Sequence, residues 1–135
     1  PRRAVVGWDG SRLSMILAVL EARAGISFAG LDVYLNIAGG IKISEPAADL
    51  AVACALLSAR EDAALPPTTV VFGELSLSGA LRPVSQAENR LKEAAKLGFT
   101  AAIAPTGCKT GTSDDLQINL QPDLITLVGE VFGAG

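Results

Sequence analysis

The sequence predicts one domain of the α+β class, with a mixed sheet and helices packed against it. Apolar residues recur at helical spacing in some segments and alternate with polar residues in others, and the two kinds of segment are interleaved. The chain has 135 residues, with no internal repeat and no long linker, so residues 1–135 are predicted to share one core. Its 50% apolar and 19% charged residues are typical of a folded chain.

The first predicted helix covers residues 9–25. Asp9 or Ser11 can cap its amino end, and Gly25 can close its carboxyl end. Four apolar residues share one face at helical spacing, namely Leu13, Ile16, Leu17 and Leu20. This face is expected to pack against the core.

A strand and a buried helix are predicted next. Residues 31–37 alternate apolar and polar side chains over their centre, as a strand does, and Gly39-Gly40 marks a turn or bulge. Pro46 suits the first turn of the following helix, and Ser44 is placed to cap it. Residues 47–59 have few polar side chains, which predicts a helix buried on nearly all sides.

The second half of the chain has a similar mixture of elements. A helix is expected from Val84, because Ser85 and Glu88 have the spacing of a capping box, and Gly98 ends it. Its predicted inner face consists of Leu91, Ala94, Ala95 and Leu97. The other predicted elements are strands at 69–73, 100–104 and 116–120, a tight turn at Ser78-Gly79, a polar loop without an apolar anchor at 106–115, and a helix at 122–132.

Cysteine and histidine usage argues against a metal centre. Cys54 lies in an apolar helical run and is expected in the core, whereas Cys108 lies in a polar loop and is expected to be exposed. Two such cysteines make neither a disulfide framework nor a zinc site. The chain has no histidine, so the commonest general base and the commonest metal ligand are both missing. We therefore predict no metal site.

The hydropathy pattern predicts no membrane-spanning helix, and the net charge predicts no overall basic surface for nucleic acid. No apolar run reaches the ~18 residues that a membrane-spanning helix needs, and no signal peptide is visible. Pro1 in place of methionine suggests a piece of a longer protein. The net charge is −3, so any contact with nucleic acid is expected to use a local basic patch.

Two segments resemble the proteolytic domain of Lon-type proteases. In that family a strand and a loop lead into Gly-Pro-Ser-Ala-Gly and a helix; the corresponding run here is Glu45-Pro46-Ala47-Ala48-Asp49, with Ala47 at the serine position. A later run, from Val71 to Val84, resembles the family segment Thr-Gly-Glu-Ile-Thr-Leu-Arg-Gly-Arg-Val-Leu-Pro-Ile. Counting on from Gly73 puts the catalytic lysine position at Glu88. Both members of the Ser–Lys dyad are therefore replaced.

This pattern resembles the C-terminal Lon-like domain of the bacterial RadA (Sms) family of DNA repair proteins. The similar stretches lie in the family's order at residues 2–7, 12–13, 17–21, 32–40, 45–51, 71–74, 82–84 and 90–99. The resemblance implies a Lon proteolytic-domain-like fold, which is also called ribosomal protein S5 domain 2-like. It further implies that this domain has no catalytic residues, with Ala47 and Glu88 as vestigial positions.

The resemblance also carries expectations about the parent protein. A zinc finger and a RecA-like ATPase domain are expected upstream, so ATP, Mg and Zn are expected there and no cofactor in this domain. Members of the family form a hexameric ring on duplex or branched DNA and promote branch migration in the cytoplasm, without a membrane. RecA recombinase is the protein partner that the family suggests.

Other catalytic interpretations are weaker. Ser44 and Ser85 lie where helix caps are expected, and the resemblance places no lysine beside them. The run from Gly107 to Gly111 lacks the spaced glycine of a phosphate-binding loop and is predicted to be a solvated loop. A peptidase with an unorthodox site, or a peptide-binding module that uses the vestigial cleft, remain the alternatives.

Four arginines are the candidate DNA-binding residues. Arg82 precedes Pro83 just before a predicted helix, so its guanidinium and the helix end can address one phosphate together. Arg2 and Arg3 form a second basic site, and Arg90 completes the set. The alternative is that these charges are solvated or lie between subunits. The aromatic residues, Tyr34 among them, fall mostly in apolar runs, so we expect backbone contacts without base stacking.

Overall fold

The computed structural model describes residues 2–36, 46–111 and 115–133, and its strands and helices are interleaved along the chain. The strands are β1 (Arg3–Val6), β2 (Val33–Asn36), β3 (Thr69–Val71), β4 (Glu74–Leu75), β5 (Leu81–Arg82), β6 (Ala101–Pro105) and β7 (Gln117–Gln121). The helices are α1 (Gly10–Ala24), α2 (Asp49–Glu61), α3 (Ala87–Lys96) and α4 (Leu124–Val131). The α+β class is thus confirmed. The turn expected at 39–40 and the cap expected at Ser44 lie outside the described residues.

Helix α1 begins and ends where the sequence predicts. The carboxylate of Asp9 accepts a hydrogen bond from the backbone N–H of Ser11 at 2.9 Å, so Asp9 is the cap. Gly25 has φ 69° and donates its N–H to the carbonyl of Glu21. The buried face consists of Leu13, Ile16, Val19 and Leu20. Leu17, which was expected on that face, is partly buried.

The described strands form three small sheets. Strands β1 and β2 pair in parallel, with Arg3 opposite Val33. Strands β3, β6 and β7 form a parallel sheet in the order β3-β6-β7. Strands β4 and β5 form an antiparallel hairpin whose turn ends at Gly79, with φ 91°. The carbonyl of Gly79 accepts a hydrogen bond from the N–H of Leu124 at 2.8 Å, which ties the hairpin to α4.

The three-stranded sheet separates two apolar clusters. Because side chains alternate between the faces of a strand, Ile103 faces the larger cluster and Ala102 and Ala104 face the smaller one. The larger cluster joins α1, α2 and α4, and the smaller cluster lies beneath α3. As the composition of residues 47–59 predicts, α2 is buried over most of its surface.

Gly73 connects this sheet to the start of α2. Its N–H donates to the carbonyl of Ala47 at 2.9 Å, and its carbonyl accepts from the N–H of Leu50 at 3.0 Å. Gly73 has φ 156°, and a Cβ there would lie 2.9 Å from Cγ of Pro105. A side chain at this position would therefore clash with the core.

The predicted capping box is wrong. Helix α3 begins at Ala87, and Gln86 is its N-cap residue, with φ 61° and no capping hydrogen bond from its side chain. Because the helix starts one residue later than the pattern suggests, Ser85 and Glu88 do not span the N-cap and third helical positions. The side chain of Asn89 instead donates to Oε1 of Gln86 at 2.5 Å.

Four further expectations need correction. Leu97 is 68% exposed because α3 ends at Lys96, which turns Leu97 off the inner face. Tyr34 is 67% exposed, since strand alternation directs it to the outer face of the β1–β2 sheet. Cys108 is buried in the smaller cluster, so the loop at 106–115 does have an apolar anchor. Strand β1 was not predicted, because four residues are too few to show a period.

Candidate functional site

Ala47 lies in the tight turn that leads into α2. Residues Pro46–Ala48 form a single 3-10 turn, and Ala47 is 5% exposed. Its backbone is held by the hydrogen bond from Gly73. The position that resembles a serine nucleophile is therefore a packed methyl group with no nucleophilic atom.

A buried ion pair stands two residues further on. Asp49 is fully buried, and Arg12 from α1 donates from Nε to Oδ1 of Asp49 at 2.8 Å and from Nη2 to Oδ2. The backbone N–H of Leu75 in β4 donates to the same Oδ2 at 3.0 Å. The hydrogen bonds to Asp49 raise the pKa of Arg12, against the opposing effect of burial.

This ion pair holds three elements together beside Ala47. Arg12 belongs to α1, Asp49 begins α2, and Leu75 belongs to β4. Asp49 also places a negative charge in the first turn of α2, whose N-cap residue Ala48 makes no side-chain bond. Sequence reasoning missed the pair, although a lone acid at the head of an apolar helix was a signal, since such an acid needs a partner when buried.

Glu88 lines a cavity that does not include Ala47. The cavity has a volume of about 290 Å³ and lies between the first turn of α3 and the loop after β6, with Pro83, Gly107 and Lys109 among its walls. No serine or threonine is among its lining residues. Ala47 and Glu88 therefore do not share this cavity, and its lining residues include no hydroxyl nucleophile.

Two of the four candidate arginines have available guanidinium groups. Arg82 ends β5 and is exposed, and within the described residues its side chain makes no hydrogen bond or ion pair. Arg2 is also exposed, and its backbone N–H donates to Asp32 at 2.7 Å while its side chain has no partner in that same part of the chain. Both can reach an external phosphate.

The guanidinium groups of the other two arginines are already engaged. Arg3 donates to the carbonyls of Arg2, Phe28 and Leu31, so it holds the loop before β2 in place. Arg90 donates from Nε to the carbonyl of Ser85 at 3.0 Å and makes a further contact. These two side chains would have to give up internal contacts to bind a phosphate.

The described residues contain neither a metal-binding cluster nor a helix that could span a membrane. Across 2–36, 46–111 and 115–133, no group of three or more histidine, cysteine, aspartate or glutamate side chains is placed to hold a metal ion. No helix in those ranges combines the length and the apolar character that crossing a membrane requires.

One known protein family matches most of the chain. The family model described as subunit ChlI of Mg-chelatase matches residues 11–107, which is more than half of the sequence. The chain belongs to this family. The matched range runs from the start of α1 to the loop after β6, and it contains Ala47, Asp49 and Glu88.

Several curated relatives of the chain are named DNA repair protein RadA. The chain is 66% identical to a DNA repair protein RadA of Brucella abortus (strain 2308) over 79% of this chain and 23% of the relative. It is 50% identical to a DNA repair protein RadA of Synechocystis over 99% of this chain and 25% of the relative. Its identity to the RadA of Haemophilus influenzae is 47%, over 81% and 24% of the two chains. The chain thus spans about a quarter of the length of the curated relatives it matches.

Proposed function

We propose that this chain is the non-proteolytic, Lon-like domain of a RadA-type DNA repair ATPase. The observation that carries the proposal is the 47–66% identity to proteins named DNA repair protein RadA. In this proposal the domain forms part of a hexameric ring and supports duplex DNA during branch migration. The parent protein acts in the cytoplasm, and RecA recombinase is a partner of the parent.

The proposal assigns ATP hydrolysis to another part of the parent. The sequence contains no Gly-x-x-x-x-Gly-Lys-[Ser/Thr] loop that could hold the phosphates of ATP. ATP, Mg and Zn are accordingly expected outside these residues. The packed methyl group of Ala47 and the acidic side chain of Glu88 support a non-catalytic role, because neither can act as one half of a Ser–Lys dyad.

Arg82 is the residue we propose for the main DNA contact. Its exposed side chain has no partner among residues 2–36, 46–111 and 115–133, so it can bind a phosphate without breaking a bond to those residues. Arg2 is the second choice for the same reason, whereas Arg3 and Arg90 rank lower because internal carbonyls already occupy them. Since phosphate contacts carry no base code, binding should be independent of sequence.

The experiment compares duplex DNA binding by the chain, by Arg82→Ala and by Lys96→Ala over a range of salt concentrations. Both variants remove one positive charge, but Lys96 lies at the end of α3 and is outside the proposed set. Fluorescence anisotropy should show weaker binding and a salt slope reduced by about one for Arg82→Ala. Equal slopes for the two variants would refute the assignment of Arg82. Light scattering on the same samples tests the ring, for which a hexamer-sized particle is expected.

A further inference from the structure

A groove crosses the face of the three-stranded sheet that is opposite α3. It has a volume of about 550 Å³ and lies between the loop after α2, the first residues of β3 and β6, and the end of α4. Leu65, Ile103 and Val131 supply apolar walls, while Thr69, Asn119 and Glu130 supply polar groups. This size is in the range of ligand pockets.

A fully buried glutamine behind the groove orients two polar side chains that line the groove. The side chain of Gln121 is inaccessible to solvent, and its Nε2 donates to Oδ1 of Asn119 at 2.9 Å and to Oε2 of Glu130 at 2.7 Å. Two acceptors on Nε2 establish which end of the amide is the nitrogen. Glu130 is therefore not an ordinary mobile surface acid, because its carboxylate is oriented before any ligand arrives.

The groove has one negative charge and no positive charge among its lining residues. Glu130 is the one charged residue among them, and no lysine or arginine lines the groove. Within the described residues Glu130 makes no ion pair. Its Oε2 and Oδ1 of Asn119 each accept a hydrogen bond from Gln121, and a carboxylate has further lone pairs for other donors. A cationic donor in the groove therefore meets an oriented carboxylate that has no counter-ion among those residues.

We propose that this groove binds a lysine or arginine side chain presented by another polypeptide. The cationic head is placed on the carboxylate of Glu130, and the alkyl stem lies against Leu65 and Val131. The groove is larger than one such side chain, and its apolar walls favour apolar residues on either side of the basic one. A peptide segment fills this space, whereas a free amine leaves most of it empty.

The test is a nuclear magnetic resonance titration of the 135-residue chain with short peptides. The probe is acetyl-Leu-Arg-Leu-amide, and the neutral control is the same peptide with citrulline, which keeps the shape of arginine without its charge. Amide shifts should concentrate around Thr69, Asn119 and Glu130 and reach saturation. The citrulline peptide should bind about tenfold more weakly, which corresponds to the loss of one charge-assisted hydrogen bond.

Variants show whether Glu130 carries the effect. Glu130→Gln retains an oxygen that accepts the bond from Gln121, so the site keeps its shape while losing its charge. It should lower the affinity for the arginine peptide about tenfold. Glu93→Gln, on the opposite side of the sheet at α3, is the matched control and should leave the affinity unchanged. An unchanged amide spectrum of the free Glu130→Gln variant shows that the fold is retained.

Four outcomes overturn the proposal. These are equal binding of the arginine and citrulline peptides, equal loss of affinity in the two variants, shifts spread over acidic residues throughout the chain, and pentylamine binding as tightly as the peptide. The last would identify a site for free amines and not for a polypeptide. None of these outcomes bears on the proposed DNA contact, which uses Arg82 at the end of β5 and is read by its own salt slope.

Discussion

Replacement of Arg12 by alanine is expected to destabilise the fold more than any other single loss of an arginine. The carboxylate of Asp49 is fully buried, whereas the side chain of Arg12 is 26% exposed. In Arg12→Ala the carboxylate retains the backbone N–H of Leu75 as its one remaining partner among those described here. A buried charge that loses its counter-ion is costly because the protein interior solvates it poorly.

The expected loss in the free energy of unfolding follows from the burial of the two partners. Removing one partner of a buried ion pair costs about 3–5 kcal/mol. Water can reach the place that Arg12 leaves, because its side chain is partly exposed, so we expect a loss of about 3 kcal/mol, at the lower end. The double variant Arg12→Met with Asp49→Asn removes both charges, keeps an acceptor for Leu75 and should recover most of the loss.

Urea unfolding of the unmodified chain, Arg12→Ala, Arg12→Met, Asp49→Asn and the double variant measures the effect, because each midpoint and slope yield the free energy of unfolding. Arg60→Ala serves as the control. Its ion pair with Glu61 is solvent-accessible on both sides, at 35% and 27%, and such pairs contribute below about 1 kcal/mol. Our interpretation of the buried pair would be refuted if Arg12→Ala lost no more stability than Arg60→Ala, or if the double variant were no more stable than Arg12→Ala.

Three further predictions concern glycines, a thiol and the vestigial dyad. Gly73→Ala should lower the free energy of unfolding by about 2–3 kcal/mol, because its Cβ would clash with the core. Gly129→Ala should raise it by about 0.5–1 kcal/mol, because Gly129 lies in α4 with open space around it. Urea unfolding in which Gly73→Ala is as stable as Gly129→Ala would contradict this. Burial raises the pKa of Cys54 to about 12, so between about pH 9 and 12 the thiol is neutral in the folded chain and ionised in the unfolded chain. The free energy of unfolding should therefore fall over this range by up to ~1.4 kcal/mol per pH unit, and this pH dependence should be weaker in Cys54→Ala. Ala47→Ser combined with Glu88→Lys should hydrolyse no fluorogenic peptide, because Ala47 is buried and does not line the cavity at Glu88; measurable turnover would show that the two positions do meet.

Local patterns in the sequence were sufficient for most of the helices and strands. The cap at Asp9, the left-handed Gly25 and the apolar run of α2 depend on residues within a few positions of one another, so a linear pattern carries them. The same holds for the resemblance of the segments around Ala47 and Glu88 to a Ser–Lys dyad site, because that resemblance uses the sequence alone.

Errors arose where a local pattern competed with packing. Ser85 and Glu88 have the spacing of a capping box, but the left-handed conformation of Gln86 starts α3 one residue later. Cys108 lies in a polar run, yet the loop folds it onto the smaller cluster. Tyr34 lies in an apolar run, yet strand alternation directs it outward. For Cys108 the neighbours in space, and not those in sequence, set the outcome.

The charge pairs and the groove could be identified only from the folded structure. Arg12 meets Asp49 across 37 positions, and Gln121 meets Glu130 only because α4 folds back beside β7. A lone acid or amide in a sequence does not reveal its partner, since many pairings satisfy the same charge. The residues alone therefore indicated the kinds of element and placed an alanine at position 47, whereas packing determined which polar groups are buried, which are paired and which remain available to a ligand, because those properties depend on distances in space.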